Sequence, residues 1–399
     1  MSVEPLGPGL PRRMSGMPDP FEDLDPERLR LRQSQMWATH PAHVLPAFVA
    51  EMDFPLAEPI ARALARAIEL GDCGYASGAG LADAFAGFAA SRMGWTVPPD
   101  RVFLVGDVMA GVVETLSLVT RPGDGVVINT PVYPPFYSIL AEVGRRVVTA
   151  PLRRLPDGWQ LDLDAVEAAL AGGARAYLLC SPHNPTGRVF ARSELACVAE
   201  LAGRYGVSVV SDEIHAPLTL PGGPVHTPYA SLGESAAAGA VTVTSASKAW
   251  NIAGLKCAVV VAGAAAIRDR LATLSQDVRD RAGHLGVIAS VAAFRDGGPW
   301  LDALLAHLAR NRAYLAELIA ARLPEVGYAP PEAGYLAWLD CSRLGLGDDP
   351  SEAFLDRGGV ALASGLSFGP EGAGFARLSF GTSRAILAEA VERMAAAAA

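Results

Sequence analysis

The chain has 399 residues, of which 51% are hydrophobic and 19% charged, and its 33 basic and 42 acidic side chains give a net charge of −9. This composition is that of a globular protein and excludes a disordered chain. No basic block or arginine–aromatic stripe is present, so we expect no nucleic-acid partner. The longest apolar run, "CAVVVAGAAAI", is shorter than the roughly 18 to 20 residues that span a membrane, which excludes a membrane span.

The N-terminus and the cysteines indicate where the protein is found. Residues 1–20 lack the apolar core of a signal peptide and are predicted to form a flexible arm. The five cysteines are scattered without metal-ligand spacing, and their odd number argues against a disulfide framework. We therefore expect a cytoplasmic protein without a metal site.

Short β-branched runs begin near residue 101 and alternate with segments of helical spacing. Several runs are apolar without alternation, as expected for strands that are buried on both faces. This order predicts an α/β fold with a mainly parallel sheet of about seven strands and helices on both faces. The runs are "RVFLV", "GVVI", "RRVVTA", "AYLLC", "VSVVS", "AVTVTS" and "CAVVVAG".

The two ends of the chain show a different pattern. One long helical stretch, "PWLDALLAHLARNRAYLAELIAARL", precedes short strands such as "YLAWLD" and "ARLSF". We expect residues 21–50 and 296–399 to form a small α+β domain from both termini. Residues 51–295 are then the large domain.

Polar groups follow successive strands of the predicted sheet. Ligands of open parallel sheets bind at the carboxyl ends of the strands. The first strand leads into the glycine turn Gly106–Gly111, whose free N–H groups suit a phosphate. Tyr133, between prolines, could stack on an aromatic ring, and Asn184 offers an amide in a proline-rich turn. Each of these is also compatible with an ordinary turn or core residue.

The next two strands add an acid and a lysine. Asp212 could cap a helix or hold a pyridine nitrogen protonated, while the nearby His215 is more often structural than catalytic. Ser245 and Ser247 place hydroxyls beside Lys248. Each signal alone is weak, but their order along successive strand ends predicts one site.

Lysine usage singles out the same segment. Lys248 and Lys256 are the only lysines, and the other 31 basic residues are arginine. Arginine replaces lysine as a surface cation but not where an amine must lose its proton and attack a carbonyl. Survival by chance under coding bias is the alternative, yet two chance survivors would rarely lie eight residues apart beside a Ser-x-Ser. The pattern favours a nucleophilic lysine.

Taken together, these motifs resemble those of fold-type I pyridoxal-phosphate (PLP) enzymes. The similarity is greatest to the cystathionine β-lyase-like, maltose-regulon-modulator branch of the class I/II aminotransferase superfamily, and it covers about residues 21–395. It implies PLP as the cofactor and a homodimer with shared active sites. The matching segments are "FVAEMDFP", the "GY" at Gly74–Tyr75, the "GW" at Gly94–Trp95, "SPHNPTGRVF", "SDEIHAPL", "SASKAWNIAGLKCA" and "GFARLSF".

The resemblance implies a role for each matching residue. Lys248 would bond to the cofactor aldehyde and later move the substrate Cα proton, Asp212 would pair with the pyridine nitrogen, and Tyr133 would stack on the ring, which makes these three the candidate catalytic residues. Arg377 would bind the substrate carboxylate. The remaining cofactor contacts would come from Asn184 and, more weakly, His215 at the ring O3′; Ser245, Ser247, Lys256 and the backbone of Asp107 and Val108 at the phosphate; and Tyr75 at the phosphate of the neighbouring subunit.

The implied reaction is β-elimination from an S-substituted L-cysteine, such as cystathionine or an S-cysteinyl natural-product conjugate, to give a thiol, pyruvate and ammonia. The same residues also serve transamination, or decarboxylation or oxidative deamination of an S-cysteinyl conjugate. A regulatory binding protein is a further alternative, against which the intact cofactor set argues. The chain departs from the branch pattern in the turn "GDVMAG", at Pro217 and at Glu51. These departures are expected to border the substrate.

Overall fold

The computed structural model describes residues 19–156 and 158–399. An arm is predicted for residues 1–20, and residues 1–18 of it lie outside the described residues. In chain order the described strands are β1 Leu45–Pro46, β2 Val102–Val105, β3 Gly125–Ile128, β4 Arg146–Thr149, β5 Arg153–Leu155, β6 Gly158–Gln160, β7 Ala176–Cys180, β8 Ser208–Asp212, β9 Ala240–Thr244, β10 Ala258–Ala262, β11 Gly327–Tyr328, β12 Leu336–Asp340, β13 Val360–Ala361, β14 Ala363–Ser364 and β15 Phe375–Ser379.

The α-helices alternate with these strands through the middle of the chain. Within the described residues they are α1 Pro26–Leu29, α2 Gln35–Ala38, α3 Glu58–Glu69, α4 Leu81–Met93, α5 Val108–Val119, α6 Pro135–Glu142, α7 Leu163–Ala171, α8 Arg192–Tyr205, α9 Glu234–Ala238, α10 Ala265–Leu271, α11 Gln276–Asp280, α12 His284–Asp296, α13 Gly298–Arg322, α14 Pro350–Gly358 and α15 Arg384–Ala398. No described helix is both long enough and apolar enough to cross a membrane.

The central sheet has seven strands in the order β2-β10-β9-β8-β7-β3-β4. Strand β10 runs antiparallel to both of its neighbours, and the other neighbouring strands are parallel. The seven β-branched runs of the sequence are these seven strands. The predicted α/β fold with a mainly parallel sheet is confirmed.

Helices cover both faces of this sheet, which explains why its strands are apolar without alternation. Successive side chains of a strand point to opposite faces. Val126 and Ile128 of β3 accordingly pack in one hydrophobic cluster with α5 and α6. Val127 packs in the other cluster, with α7 and α8. Every residue of β3, β7, β9 and β10 is buried.

Strand direction brings the predicted site residues to one edge of the sheet. Strands β2, β3, β7, β8 and β9 all end at this edge, so the loops that follow them meet there. Because β10 runs the opposite way, it begins at the same edge, and the residues that precede it lie there too. The antiparallel strand thus explains how Lys256 reaches the loops that follow the parallel strands.

A second sheet lies nearer the C-terminus. It is antiparallel, with the order β11-β12-β15-β14, while β1 pairs in parallel with β13. The 25-residue helix α13 begins at the end of α12. These pairings join both termini, and on this basis we propose the domain division predicted above, with residues 21–50 and 296–399 as the small domain and 51–295 as the large one.

Candidate active site

A cavity of about 200 Å³ opens at the carboxyl edge of the central sheet. The loops after β2, β3, β7, β8 and β9 supply most of its wall. Six residues line the cavity without having been predicted as site residues: Ala50, Met109, Cys180, Ile214, Ala253 and Cys257. The predicted site residues that line it are Asp107, Val108, Tyr133, Asn184, Asp212, His215, Ser247, Lys248 and Lys256.

Lys248 follows β9 after a short turn, and its amine is held inside the cavity. Its Nζ donates a hydrogen bond to the carbonyl oxygen of Ala50 at 2.9 Å. Burial and the nearby charge of Arg377 lower the pKa of Lys248 from 10.5 to about 8. An appreciable fraction of the amine is therefore neutral near physiological pH, as a nucleophile or base requires.

Asp212 is the last residue of β8 and is buried. The backbone N–H of Ile214 donates to its Oδ1 at 3.1 Å. Burial raises the pKa of Asp212 to about 7; the Ile214 hydrogen bond and the charge of Lys248 oppose this rise, and the charge of Glu213 adds to it. A buried acid in this position fits a ligand that presents a positively charged N–H group.

His215 and Asn184 line the same cavity as the acid. Both side chains are buried, and among the described residues the Nδ1 atom of His215 has no hydrogen-bond partner. Burial, and then the charges of Lys248 and Arg377, lower the pKa of His215 to about 3, so the ring is neutral. The Oδ1 atom of Asn184 accepts a hydrogen bond from Nη1 of Arg377 at 3.1 Å.

Arg377 lies on β15 of the small sheet, behind Asn184, and does not itself line the cavity. Its Nη2 donates to the carbonyl oxygen of Phe48 at 3.0 Å, and its Cζ lies 5.0 Å from the ring centre of Phe368. Burial lowers the pKa of Arg377 to about 10, which leaves it a cation. Its buried Nε has no partner among the described residues.

Predicted phosphate ligands, among them Asp107, Ser247 and Lys256, line the same cavity. Nζ of Lys256 donates to a carboxylate oxygen of Asp107 at 2.8 Å, and Asp107 caps the N-terminus of α5. The Ser245 hydroxyl donates to the carbonyl of Cys257 at 2.6 Å and accepts from the N–H of Ser247 at 3.0 Å. Ser245 thus shapes the turn rather than lining the cavity, whereas Ser247 lines it.

The two tyrosines lie in different surroundings. Tyr133 is part-buried at the cavity and packs edge-to-face on Phe136, with ring centres 6.0 Å apart. Burial and the charge of Asp212 raise the pKa of Tyr133, so its hydroxyl stays protonated. Tyr75 is 88% exposed and lies outside the cavity. The single chain does not bring it to the other site residues.

Comparison with known proteins identifies the family of this chain. A family model described as aminotransferase class I and II matches residues 67–394. The chain belongs to this family. A Mycobacterium tuberculosis relative, provisionally named a cystathionine beta-lyase, is 48% identical over 95% of this chain and 98% of its own. The cystathionine beta-lyase PatB of Bacillus subtilis is 37% identical over 88% of this chain and 92% of its own.

A solved structure agrees with the sequence comparisons. The crystal structure of a Corynebacterium diphtheriae protein, provisionally titled a PLP-dependent beta-cystathionase, matches with a TM-score of 0.91 and 37% identity. The match covers 95% of this chain and 99% of that one. The family and the fold type that the sequence motifs implied are therefore confirmed.

The contacts of the backbone segment around Ala50, which lines the cavity, were not predicted from the sequence. The carbonyl oxygen of Ala50 accepts from Lys248 and also from the Tyr335 hydroxyl at 2.9 Å. Asn251 fixes the same segment by bonding both the N–H of Met52, at 2.9 Å, and its carbonyl, at 2.7 Å. The motif "FVAEMDFP" marked this segment, but a carbonyl contact leaves no signature in the sequence.

A second missed feature lies behind Asp212. The buried carboxylate of Glu213 accepts hydrogen bonds from the Ser211 hydroxyl at 2.9 Å and the Tyr229 N–H at 2.9 Å, and it contacts Nε2 of His226 at 3.2 Å. These contacts fix the chain immediately after Asp212. His226 lies 13 residues away in an irregular loop, and no sequence pattern connects it with Glu213.

Proposed function

We propose that the protein is a PLP-dependent carbon–sulfur lyase that acts by β-elimination on an S-substituted L-cysteine. The observation that carries the proposal is the meeting of Lys248, with its lowered pKa, and the buried acid Asp212 in one cavity. The relatives named above as cystathionine beta-lyases and the beta-cystathionase structure support the enzyme class and the cofactor.

The residues of the cavity fit PLP. Asp212 is a buried acid that can accept a hydrogen bond from a protonated pyridine nitrogen, and His215 has an unpartnered ring nitrogen beside it. Lys248 supplies the amine, and Lys256 with the N-terminus of α5 supplies cations and N–H donors for a phosphate. When bound, PLP supplies an electron-withdrawing ring that stabilises negative charge at the substrate Cα.

The chain's own groups would then bind the substrate and move its protons. Arg377, whose Nη1 contacts the cavity residue Asn184, would bind the substrate carboxylate with its guanidinium, as the resemblance implies. The amine of Lys248 would remove the proton from Cα, after which the Cβ–S bond breaks and the sulfur leaves as a thiolate that takes up a proton. One water is consumed in all, and the products are a thiol, pyruvate and ammonia.

The cavity lining favours a neutral group on the sulfur. Beyond the cofactor residues it consists of Ala50, Met109, Cys180, Ile214, Ala253 and Cys257, which are mostly apolar, and no arginine lines it among the described residues. With Arg377 assigned to the first carboxylate, a second carboxylate would lack a guanidinium partner. We therefore propose S-alkyl or bulkier uncharged cysteine conjugates as better substrates than cystathionine.

We further propose that the active unit is a homodimer. Tyr75 is 88% exposed, and the resemblance of the motifs implies a role for it at the phosphate of the neighbouring subunit. In this arrangement an exposed aromatic residue gains a partner on assembly. Each site would then be completed by the other chain.

The test measures product balance. The holoenzyme is incubated with S-methyl-L-cysteine, S-benzyl-L-cysteine and cystathionine, and pyruvate, ammonia and thiol are measured without a keto-acid acceptor. Elimination predicts equal amounts of the three products. Carbon dioxide or an aldehyde with the sulfur still attached would contradict the proposal and indicate decarboxylation or oxidative deamination.

Transamination is the second candidate, because the matching family model is that of the class I and II aminotransferases. It predicts that turnover requires an α-keto acid and yields a new amino acid. The acceptor dependence measured in the same assay separates the two reactions.

A further inference from the structure

Asp107 and Lys256 form an ion pair inside the cavity. Nζ of Lys256 lies 2.8 Å from the carboxylate of Asp107, and the two side chains are 60% and 40% exposed. Both residues line the cavity that contains Lys248. The cation expected to bind the cofactor phosphate is therefore already bound to an internal anion.

The carboxylate of this pair is anchored by a second contact. Its Oδ1 accepts a hydrogen bond from the backbone N–H of Ala110 at 2.8 Å and so caps α5. Burial acts to raise the pKa of Asp107, but the Lys256 hydrogen bond and the N–H groups of Ala110 and Met109 outweigh it and hold the pKa below its usual value. Asp107 is thus ionised at neutral pH. Moving it away would leave α5 without its cap.

The backbone of Lys256 is also constrained. Its backbone φ is +57°, a left-handed conformation that residues with a Cβ seldom adopt. Its carbonyl oxygen accepts from the N–H of Gly283 at 2.7 Å, and β10 begins two residues later. Because its cap on α5 anchors the Asp107 carboxylate and the backbone of Lys256 is fixed beside it, the carboxylate stays within reach of Nζ, and an incoming phosphate competes with Asp107 for Lys256.

We propose that Asp107 is a competing anion that weakens the binding of the PLP phosphate and makes the cofactor exchangeable. It neutralises Lys256 and places a second negative charge at the N-terminus of α5, where the phosphate is expected. The inference rests on the proposed function only in taking PLP as the cofactor. Asp107 acts in this account only through its charge beside the phosphate site and takes no part in the chemistry at the substrate.

The test compares Asp107→Asn with the wild type. Asparagine caps a helix about as well as aspartate but carries no charge. Full-length holoenzyme is dialysed to equilibrium against graded PLP concentrations, and bound PLP is measured by absorbance. Since unit charges about 4 Å apart interact by about 1 kcal/mol in water, we expect the Kd for PLP to fall about three- to tenfold. The gain should shrink as salt rises.

Two controls separate the charge effect from a change in the fold. Pyridoxal, which forms the same bond to Lys248 without a phosphate, should bind both forms within about twofold of each other. Asp162→Asn is the matched variant, because Asp162 also caps a helix, accepting from Ala165 at 3.1 Å, and also pairs with a cation, Arg153, at 3.2 Å. It lies outside the cavity lining, so it should leave the Kd for PLP unchanged.

The alternative outcomes are distinct. A Kd for PLP that is unchanged or higher in Asp107→Asn would overturn the inference. A higher Kd would mean that Asp107 holds Lys256 in place for the phosphate. Tighter binding of pyridoxal as well would also overturn it. Absence of PLP binding in the wild type would instead refute the cofactor assignment on which the proposed function depends. Asp107→Ser, which keeps a capping side chain, repeats the test if the asparagine variant fails to fold.

Discussion

Lys248 is buried in the cavity, and burial disfavours the charged form of its amine. Its pKa in the folded protein, about 8, lies below the 10.5 of an unhindered lysine. For a base this means that the unfolded chain binds more protons between these two values, so stability rises with pH across that window. Below pH 8 Lys248 is protonated in both the folded and the unfolded chain, so the free-energy cost of burying its charge no longer changes with pH.

The first prediction follows from this cost. In PLP-free protein, Lys248→Met should raise the free energy of unfolding by about 1 to 3 kcal/mol at pH 7, and by less than half of that at pH 9.5. Urea unfolding at the two pH values measures it, and Lys256→Met is the control because Lys256 is exposed. A gain that is the same at both pH values would contradict the account.

Phe368 provides the second prediction at this scale. Its ring lies 5.0 Å from the guanidinium of Arg377, and a cation–π contact of this kind contributes roughly 0.5 to 2 kcal/mol. Phe368→Leu should therefore raise KM about three- to thirtyfold with a smaller change in kcat, while Phe368→Tyr should preserve both.

Phe375→Leu is the matched control for this variant. Phe375 is also buried and stacks on Trp338 with ring centres 5.0 Å apart, but its cationic neighbour is Arg154 rather than Arg377. It should cost stability without raising KM. Equal effects of the two leucine variants on KM would show that Phe368 does not position Arg377.

At the scale of elements, the approach of α5 to the sheet fixes where its N-terminus lies. Gly111 is buried on this helix, and a Cβ there would meet side-chain atoms of Val243 at 2.8 Å and Val260 at 2.9 Å. Only glycine allows so close a contact between helix and sheet. The position of the N–H groups expected to bind the phosphate thus depends on residue 111 having no side chain.

The third prediction uses this contact. Gly111→Ala should lower the free energy of unfolding by about 1 to 3 kcal/mol through overpacking, and it should weaken PLP binding because α5 is displaced. Gly87→Ala is the control, since Gly87 is exposed on α4 with nothing within 4 Å of its Cβ position, and alanine there should stabilise the helix by up to about 1 kcal/mol. Thermal unfolding and PLP titration measure both effects.

The elements also show what the sequence could and could not predict. The inner strands of the central sheet, such as β3, β7, β9 and β10, were predictable because β-branched runs buried on both faces do not alternate with polar residues. The loops after them were predictable because parallel strands end at one edge. The carbonyl of Ala50 and the Glu213–His226 contact were not, since each depends on residues brought together only by the tertiary fold. The Ser245 hydroxyl was expected at the phosphate but bonds Cys257 and Ser247 within its own turn. The contact with Cys257 also depends on the tertiary fold.

At the scale of the whole molecule, the proposed dimer predicts complementation between two defective chains. Lys248→Ala removes the reactive amine from its own site, and Tyr75→Ala removes the tyrosine lent to the partner's site. In a mixed dimer, one site combines Lys248 of one chain with Tyr75 of the other. Equal mixing under subunit exchange should therefore restore about a quarter of wild-type activity. No recovery, with exchange shown by mass measurement, would contradict shared sites.

The most direct test of the central claim uses the two lysines of the chain, Lys248 and Lys256. Borohydride treatment of the holoenzyme makes the bond between PLP and its lysine permanent, and peptide mass mapping then locates the label. The account predicts a label on Lys248, in the peptide that follows β9, and none on Lys256. A label on Lys256, or no covalent label on a chain that binds PLP, would contradict it.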